Sequence, residues 1–356
     1  MSAQGKRIVI AAGGTAGHVV PALAVADALR ADGAEVTFIG GERAEATLVP
    51  AAGFELHRIS VEGLSRSHPL KALRALARAA LALPRSRSLL RSLRADAVLG
   101  GGGYVSAPVG LAALSLRVPL VLSEADSHLG LSNRVLAPFA RRVCLAFPIA
   151  GRDGPRYRVT GRPVPAADAG REAARRRFGV PADAPCVLVF GGSLGARSIN
   201  LAAAEAFAWA PFEVIHISGR RDYAELAALE TAPGYHLFEY LDVEQFGEAL
   251  DAADLAVARA GGSVFELAAH GLPAILVPYP HASADHQSTN ARWMAEAGAA
   301  VTVADAQLDA PLLSREVEQL LGDRPRLAEM ARAARSLARP DAAASVAGEL
   351  LAAAGR

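Results

Sequence analysis

A chain of 356 residues, 52% hydrophobic and 5% aromatic, has an ordinary soluble globular composition and the length of about two domains. A net charge of +1 excludes a nucleic-acid binder whose whole surface is basic, and two cysteines exclude a disulfide scaffold. Cys144 and Cys186 each sit in an apolar run and read as core thiols.

The opening SAQGK leads directly into the strand Arg7–Ala12 with no signal peptide between, and no apolar run approaches the ~18 residues of a spanning helix, so the expected compartment is cytoplasmic. The loop GGTAGH (Gly13 to His18) follows, then a helix expected from about Val19 to Ala31 with Pro21 in its first turn. Short apolar runs recur at Glu35–Ile39, Ala97–Leu99, Pro119–Leu122, Arg142–Phe147 and Tyr157–Thr160. Strands alternating with helical stretches imply parallel sheets with helices on both faces. From Gly63 to Ala95 there are eight Lys or Arg and no acid. Within it, Leu70, Leu73, Leu76 and Ala80 fall at helical spacing among Lys71, Arg74 and Arg78: either an amphipathic surface for anionic lipid or a solvated helix with its apolar side in the core.

Four consecutive glycines in LGGGGYVSAP (Leu99 to Pro108) imply that something comes close to the backbone there. After the next strand, SEADSHLGLSN offers Glu124, Asp126, Ser127, His128 and Asn133, where a carboxylate is either a base or a helix cap. The stretch PVPAADAG (Pro163 to Gly170) is rich in Pro, Ala and Gly and marks the boundary between a first domain, 1–163, and a second, 164–340. A closing helix in 341–356 would cross back after Pro340.

Beyond the boundary, CVLVFGGSLGAR (Cys186 to Arg197) echoes RIVIAAGGTAGH as strand, Gly-Gly, hydroxyl residue, Gly and helix. Two similarly built domains facing each other across a cleft is the economical inference. Such loops let backbone N–H groups approach phosphate or sugar, yet they fit neither G-x-G-x-x-G nor the NTPase phosphate loop, which lowers the case for dehydrogenases and P-loop ATPases. His18, at a helix start, is disfavoured as the protonated ring and kept available as a base or neutral donor.

The stretch Ala258–Asn290 carries the densest signal. A strand (Leu255 to Ala258) runs into Gly261-Gly262; Ser263 with Glu266 three residues on reads as a capping box, and Ala274–Pro278 makes the next strand. A polar loop then holds Asp285, His286, Gln287 and Asn290. Polar groups at the carboxyl ends of consecutive strands suit an anionic ligand. The alternatives are that Glu266 only satisfies the Ser263 backbone, and that Gln287 and Asn290 only cap the following helix.

In series, GGTAGH, GGGYVSAP, SEADSHLGLSN, GGSLGA, RAGGSVFELAAHGLPAILVPYP, DHQSTNA and ARPDAA resemble the MurG family, the peptidoglycan glycosyltransferases that add N-acetylglucosamine to lipid I. The resemblance spans nearly the whole chain. It implies a GT-B fold, α/β with two Rossmann-like doubly wound parallel-sheet domains; inversion at the anomeric carbon; no metal and no cofactor; and peripheral work on anionic lipid at the cytoplasmic face of the plasma membrane. It also implies UDP-GlcNAc and lipid I as substrates, an acceptor-side first domain, a donor-side second domain, and company with other cell-wall synthesis proteins but no nucleic acid.

Carried onto this sequence, Ser193 would lie near the diphosphate and uridine, the backbone of Leu241 against uracil, Glu266 on the ribose, and Gln287 with Asn290 on the sugar hydroxyls, while the helix N-termini at Gly192–Ala196 and Gly262–Val264 would stabilise the charge of the leaving UDP. Thr15, Ala16, Gly17 and His18 would line the acceptor side with Asp126; His18, Glu124 or Asp126 would carry the base chemistry; and Arg162 either replaces the family's diphosphate-side Arg or does not. Four positions depart from the family pattern: Ala16 stands for glycine, Ala125-Asp126 for Gln-Asn, GRPVP lacks the usual Arg at Pro165, and the loop before Glu266 is one residue shorter. Competing readings are a glycosyltransferase with another lipid acceptor, a UDP-GlcNAc 2-epimerase, and a non-catalytic sugar-nucleotide-binding protein.

Overall fold

The computed structural model describes residues 4–62, 69–165, 170–192, 194–282 and 285–355. It divides into two compact units, Met1–Val164 with Arg339–Arg356, and Pro165–Ala338.

The first unit runs β1 (Arg7–Ala11), α1 (Ala16–Ala31), β2 (Glu35–Gly40), α2 (Glu45–Ala51), β3 (Glu55–Arg58), α3 (Pro69–Ser92), β4 (Ala97–Gly100), α4 (Ser106–Ser115), β5 (Leu120–Glu124), α5 (Leu131–Leu136), β6 (Arg142–Leu145) and β7 (Tyr157–Val159). All pairings are parallel, in the order β3-β2-β1-β4-β5-β6-β7. Alternation along β1 sends Ile8 and Ile10 to one face, against Val25 and Leu29 of α1, and Val9 and Ala11 to the other, against Leu90 and Val109. Each Val, Leu or Ile side chain among these, removed wholly from water, contributes about 1.5–3 kcal/mol.

The second unit runs α6 (Arg171–Phe178), β8 (Cys186–Phe190), α7 (Arg197–Phe207), β9 (Glu213–Ile217), α8 (Tyr223–Leu226), β10 (Tyr235–Phe238), α9 (Val243–Ala252), β11 (Leu255–Ala258), α10 (Val264–His270), β12 (Ala274–Leu276), α11 (His286–Glu296), β13 (Ala300–Thr302), α12 (Ala310–Gly322) and α13 (Arg324–Leu337). Its parallel sheet has the order β10-β9-β8-β11-β12-β13. The closing helix α14 (Ala342–Ala354) belongs to the first unit, where Val346 and Leu350 join the core beside α1 and Glu349 pairs with Arg142 and Arg158.

In both units the strand order reverses beside the first strand, between β1 and β4 and between β8 and β11. Ligands of open α/β sheets bind outside the carboxyl ends at that switch point. The register sets Ala11 beside Gly100 and Phe190 beside Ala258, so in each unit two glycine-rich loops leave the sheet side by side.

Several expectations change. Helix α1 begins at Ala16, three residues early, so Pro21 lies one turn further in than expected. The strand expected to Pro278 ends at Leu276, and the supposed polar loop around Gln287 and Asn290 is the opening of α11. Asp285 enters that helix with φ 52° and accepts from Ser288 Oγ at 2.6 Å. Ser263 makes no capping bond, because its backbone is already helical (φ −60°, ψ −15°) whereas a cap needs an extended residue. The capping box that does form is Asp242–Gln245, at the start of α9.

Helix α3 forms, but its buried stripe is Ala75, Ala82, Ser86, Leu89 and Leu90, while Ala80 is exposed. Gly63–His68 and the side chains of Leu70, Lys71, Leu73 and Leu76 lie outside the described residues. Both thiols are free and buried, and burial pushes them up to about 12.

Candidate functional site

In the first unit the β1–α1 loop is held from below by one buried carboxylate. Glu45 is fully buried and accepts from Gly14 N and Gly41 N, each at 2.8 Å, and from the Tyr104 hydroxyl at 3.3 Å. Burial and the neighbouring Glu45 push the Tyr104 phenol up to about 12. The four glycines Gly100 to Gly103 at the end of β4 are each explained by packing. A Cβ would meet Leu122 at Gly100 (2.7 Å), Ala12 at Gly101 (3.1 Å), the His18 ring at Gly102 (2.7 Å) and the carbonyl oxygen of Gly13 at Gly103 (2.0 Å). What comes close to that backbone is therefore the neighbouring loop.

The His18 ring lies over this backbone, with Nδ1 3.2 Å from Thr15 Oγ1. Burial holds its pKa below the usual 6.5; Asp126 raises it and Arg162 lowers it further. Arg162, nearly buried, donates to Gly17 O at 2.7 Å and to Ala125 O at 3.3 Å. The first bond answers a defect in α1: Pro21 has no N–H, so the carbonyl four residues before it, Gly17, lacks its helical donor. Arg162 supplies one and joins the first turn of α1 to the β5–α5 loop.

Thr15, Gly17, His18, Asp126 and Arg162 thus come together, with Ala16 starting α1 beside them. Glu124 turns inward instead: Oε1 accepts from Asp126 N (3.2 Å), Oε2 from Gly130 N (2.8 Å) and Asn133 Nδ2 (2.9 Å). Burial raises its pKa despite those donors.

In the second unit, Gly192 turns with φ 92° and Gly195 lies so close to Ser218 that a Cβ would sit 1.9 Å from its carbonyl oxygen. Ser193 lies outside the described residues. This loop leads into helix α7, with Ala196 in extended backbone before Arg197. Leu241 is buried just ahead of the Asp242 cap. Gly262 and Ser263 are half-buried and Val264 packs inward, so at Val264 only backbone faces the loop. Glu266 is half-buried in the first turn of α10.

Asn290, 2% exposed, donates to Ala260 O (2.9 Å) and Gly261 O (3.3 Å), and its Oδ1 has no hydrogen-bond partner among the described residues. Gln287 Oε1 accepts from Tyr279 N at 2.9 Å. Both side chains hold the β11 and β12 loops in place.

Sequence reasoning missed the clamp beneath these loops. Arg259 donates to Val277 O (3.1 Å), Asp305 Oδ1 (2.6 Å) and Ser198 Oγ (2.8 Å), tying β11, β12 and α7 together. It also missed Glu45 and Tyr104. A charged residue directly after a buried strand was the available signal for Arg259; for Glu45 there was none. No group of three or more His, Cys, Asp or Glu arranged to hold a metal occurs among the described residues.

Two parallel α/β units with reversed strand order, each with glycine-rich loops at its switch point, define the GT-B class of glycosyltransferases. The glycosyltransferase family 28 N-terminal domain matches residues 8–145 and the family's C-terminal domain matches residues 186–346. The chain belongs to glycosyltransferase family 28, among its MurG-type members. It is 43% identical over its whole length to the UDP-N-acetylglucosamine–N-acetylmuramyl-(pentapeptide) pyrophosphoryl-undecaprenol N-acetylglucosamine transferase of Salinibacter ruber, covering 99% of that protein. It is 46% identical to the protein of the same name from Rubrobacter xylanophilus, over 92% of this chain and 98% of that one. The crystal structure of Acinetobacter baumannii MurG superposes with a TM-score of 0.74 at 30% identity, covering 98% of this chain and 99% of that one.

Proposed function

We propose that the chain transfers N-acetylglucosamine from UDP-GlcNAc to the C4 hydroxyl of the N-acetylmuramoyl residue of lipid I, giving lipid II. The observation that carries this is full-length kinship at 43–46% identity with transferases so named.

The donor belongs on the second unit. Ser193 and the loop opening α7 meet the diphosphate, where backbone N–H groups and the positive helix end stabilise the charge UDP gains on leaving. That arrangement suits inversion by direct displacement without a cation. Leu241 and the backbone of Gly262, Ser263 and Val264 meet the nucleoside, Glu266 the ribose, and Gln287 with Asn290 the sugar.

The acceptor belongs on the first unit, with Thr15, Ala16, Gly17, Asp126 and Arg162 as its contacts. His18 is the base: burial keeps its ring neutral near pH 7, and Asp126 steadies the imidazolium that forms when it takes the hydroxyl proton. Glu124, with both oxygens occupied, positions the loop that carries Asp126.

Membrane contact belongs to the first unit. No described helix is long and apolar enough to cross a membrane. Exposed Leu81, Leu131, Val135 and Phe139 suit a peripheral anchor on anionic lipid, although Arg74 and Arg78 are paired with Glu62.

The test is transfer of labelled sugar from UDP-GlcNAc to a lipid I analogue with chelator present, beside UDP-glucose and lipid-free controls. Product from UDP-GlcNAc alone supports donor, acceptor and metal independence together. Sugar-nucleotide conversion without lipid would move the assignment to an epimerase, and binding without turnover to a non-catalytic protein. Product only with another lipid acceptor would move the acceptor.

A further inference from the structure

The second unit contains a cavity of about 740 Å³ at the edge opposite its glycine-rich loops. Its floor is formed where β8, β11 and β12 begin, by Pro185, Asp254 and Pro273, and helices α6, α10 and α13 contribute to its walls. The volume falls in the range of small-molecule sites.

The charges lining it are unevenly committed. Arg175 is structural: its guanidinium donates to the carbonyls of Pro181 (2.8 Å), Ala184 (2.9 Å) and Ala252 (3.0 Å) and to Asp254 (2.8 Å). Arg171 pairs with the same Asp254, which is thereby neutralised. Asp251 accepts from His270 Nδ1 at 2.7 Å; the His270 side chain is only 4% exposed and has no second hydrogen-bond partner among the described residues.

Two cations are left over. Arg324 and Arg335, both exposed and about three turns apart, line the cavity from the two ends of α13, and neither has an ion-pair or side-chain hydrogen-bond partner among the described residues. Arg335 reaches its place because residue 271 is glycine: a Cβ there would lie 2.5 Å from Arg335 Cγ. Asp183, the third lining acid, is exposed and has no ion-pair partner among the described residues. Leu250, Leu272 and Leu327 supply apolar surface.

We propose that this cavity is a second binding site, for a small phosphate-bearing anion held by Arg324 and Arg335, with His270 at its wall and the ligand's less polar part against the leucines. Guanidinium groups match phosphate oxygens in geometry and charge, and a paired set discriminates in favour of multiply charged ligands.

The test uses pyrophosphate as the probe on the full chain with isotope-labelled arginine side chains. Saturable shifts of the Arg324 and Arg335 signals are expected, assigned through Arg324→Lys and Arg335→Lys. With the diphosphate site of the α7 loop saturated by UDP, the calorimetric affinity for pyrophosphate should fall about ten-fold or more in Arg335→Ala and be lost in the Arg324→Ala, Arg335→Ala double variant. Neither substitution removes a native partner, so the unfolding midpoint without anion should stay within about 1 °C of the parent. Unmoved arginine signals at millimolar pyrophosphate, or an unchanged affinity in the double variant, would overturn the proposal. The readout is binding at the amino edge of the second unit, so its outcome does not depend on transferase activity.

Discussion

Glu45→Gln tests whether a buried carboxylate shapes the β1–α1 loop. In the native chain the two oxygens of Glu45 each accept a backbone N–H at 2.8 Å, from Gly14 and from Gly41. Glutamine keeps one oxygen and turns an NH₂ group toward the other N–H. One charge-assisted hydrogen bond is lost and a buried donor is left unmet, together about 2–4 kcal/mol. Water cannot take the vacated position, because ideal Cβ positions at Gly13, Gly40 and Gly41 already lie 2.6, 2.8 and 2.9 Å from the Glu45 side chain. In a unit of this size the loss corresponds to a fall of roughly 5–15 °C in melting temperature. Thermal unfolding followed by circular dichroism measures it, and transfer kinetics should show kcat falling with the displaced Gly13–Gly14 loop. Tyr104→Phe removes only the 3.3 Å bond and should cost less than about 1 kcal/mol. Glu45→Gln within about 0.5 kcal/mol of the parent, with full activity, would refute the argument.

The remaining predictions concern the same unit and its neighbours. Because burial holds the His18 pKa below 6.5, the neutral ring is the folded-state form; its stability contribution is complete above about pH 6.5 and is lost as pH falls through the lower folded value. The acid limb of kcat/KM should therefore lie below 6.5 and move lower still in Asp126→Asn, which removes the charge that raises His18; a limb that stays put would exclude this base. Arg162→Ala should cost about 2–3 kcal/mol, and about 1 kcal/mol less in a Pro21→Ala background, where residue 21 regains the N–H that Gly17 O lacks; additive costs in denaturant unfolding would refute the link. Gly103→Ala drives a Cβ to 2.0 Å from the Gly13 carbonyl oxygen and should cost about 3 kcal/mol or more, whereas Gly192→Ala, with no atom within 4 Å, should cost only the backbone strain of φ 92°, about 1–2 kcal/mol. Equal costs from urea titrations would show that the close approach is not the constraint.

The alternation of strand and helix, the reuse of strand, Gly-Gly and helix in both halves, and the loops of the candidate site were all legible in the sequence, because period and glycine punctuation act over a few residues. Where local pattern misled, tertiary contacts had overridden it. Ser263 and Glu266 have capping-box spacing without the extended backbone a cap needs. The four glycines Gly100 to Gly103 are fitted to the neighbouring β1–α1 loop and the strand side chains around them.

What only the fold decided is which distant side chain holds each loop. Glu45 reaches Gly14 across 31 residues, and Arg162 reaches Gly17 across 145. Arg259 meets Asp305 46 residues on. Such partners are chosen by proximity in the packed chain, and by orphaned groups such as the Gly17 carbonyl. The sequence by itself determined the two α/β units and their glycine-rich loops; the tertiary structure decided how those loops are held, because a buried donor or acceptor must be met by whatever the fold brings beside it.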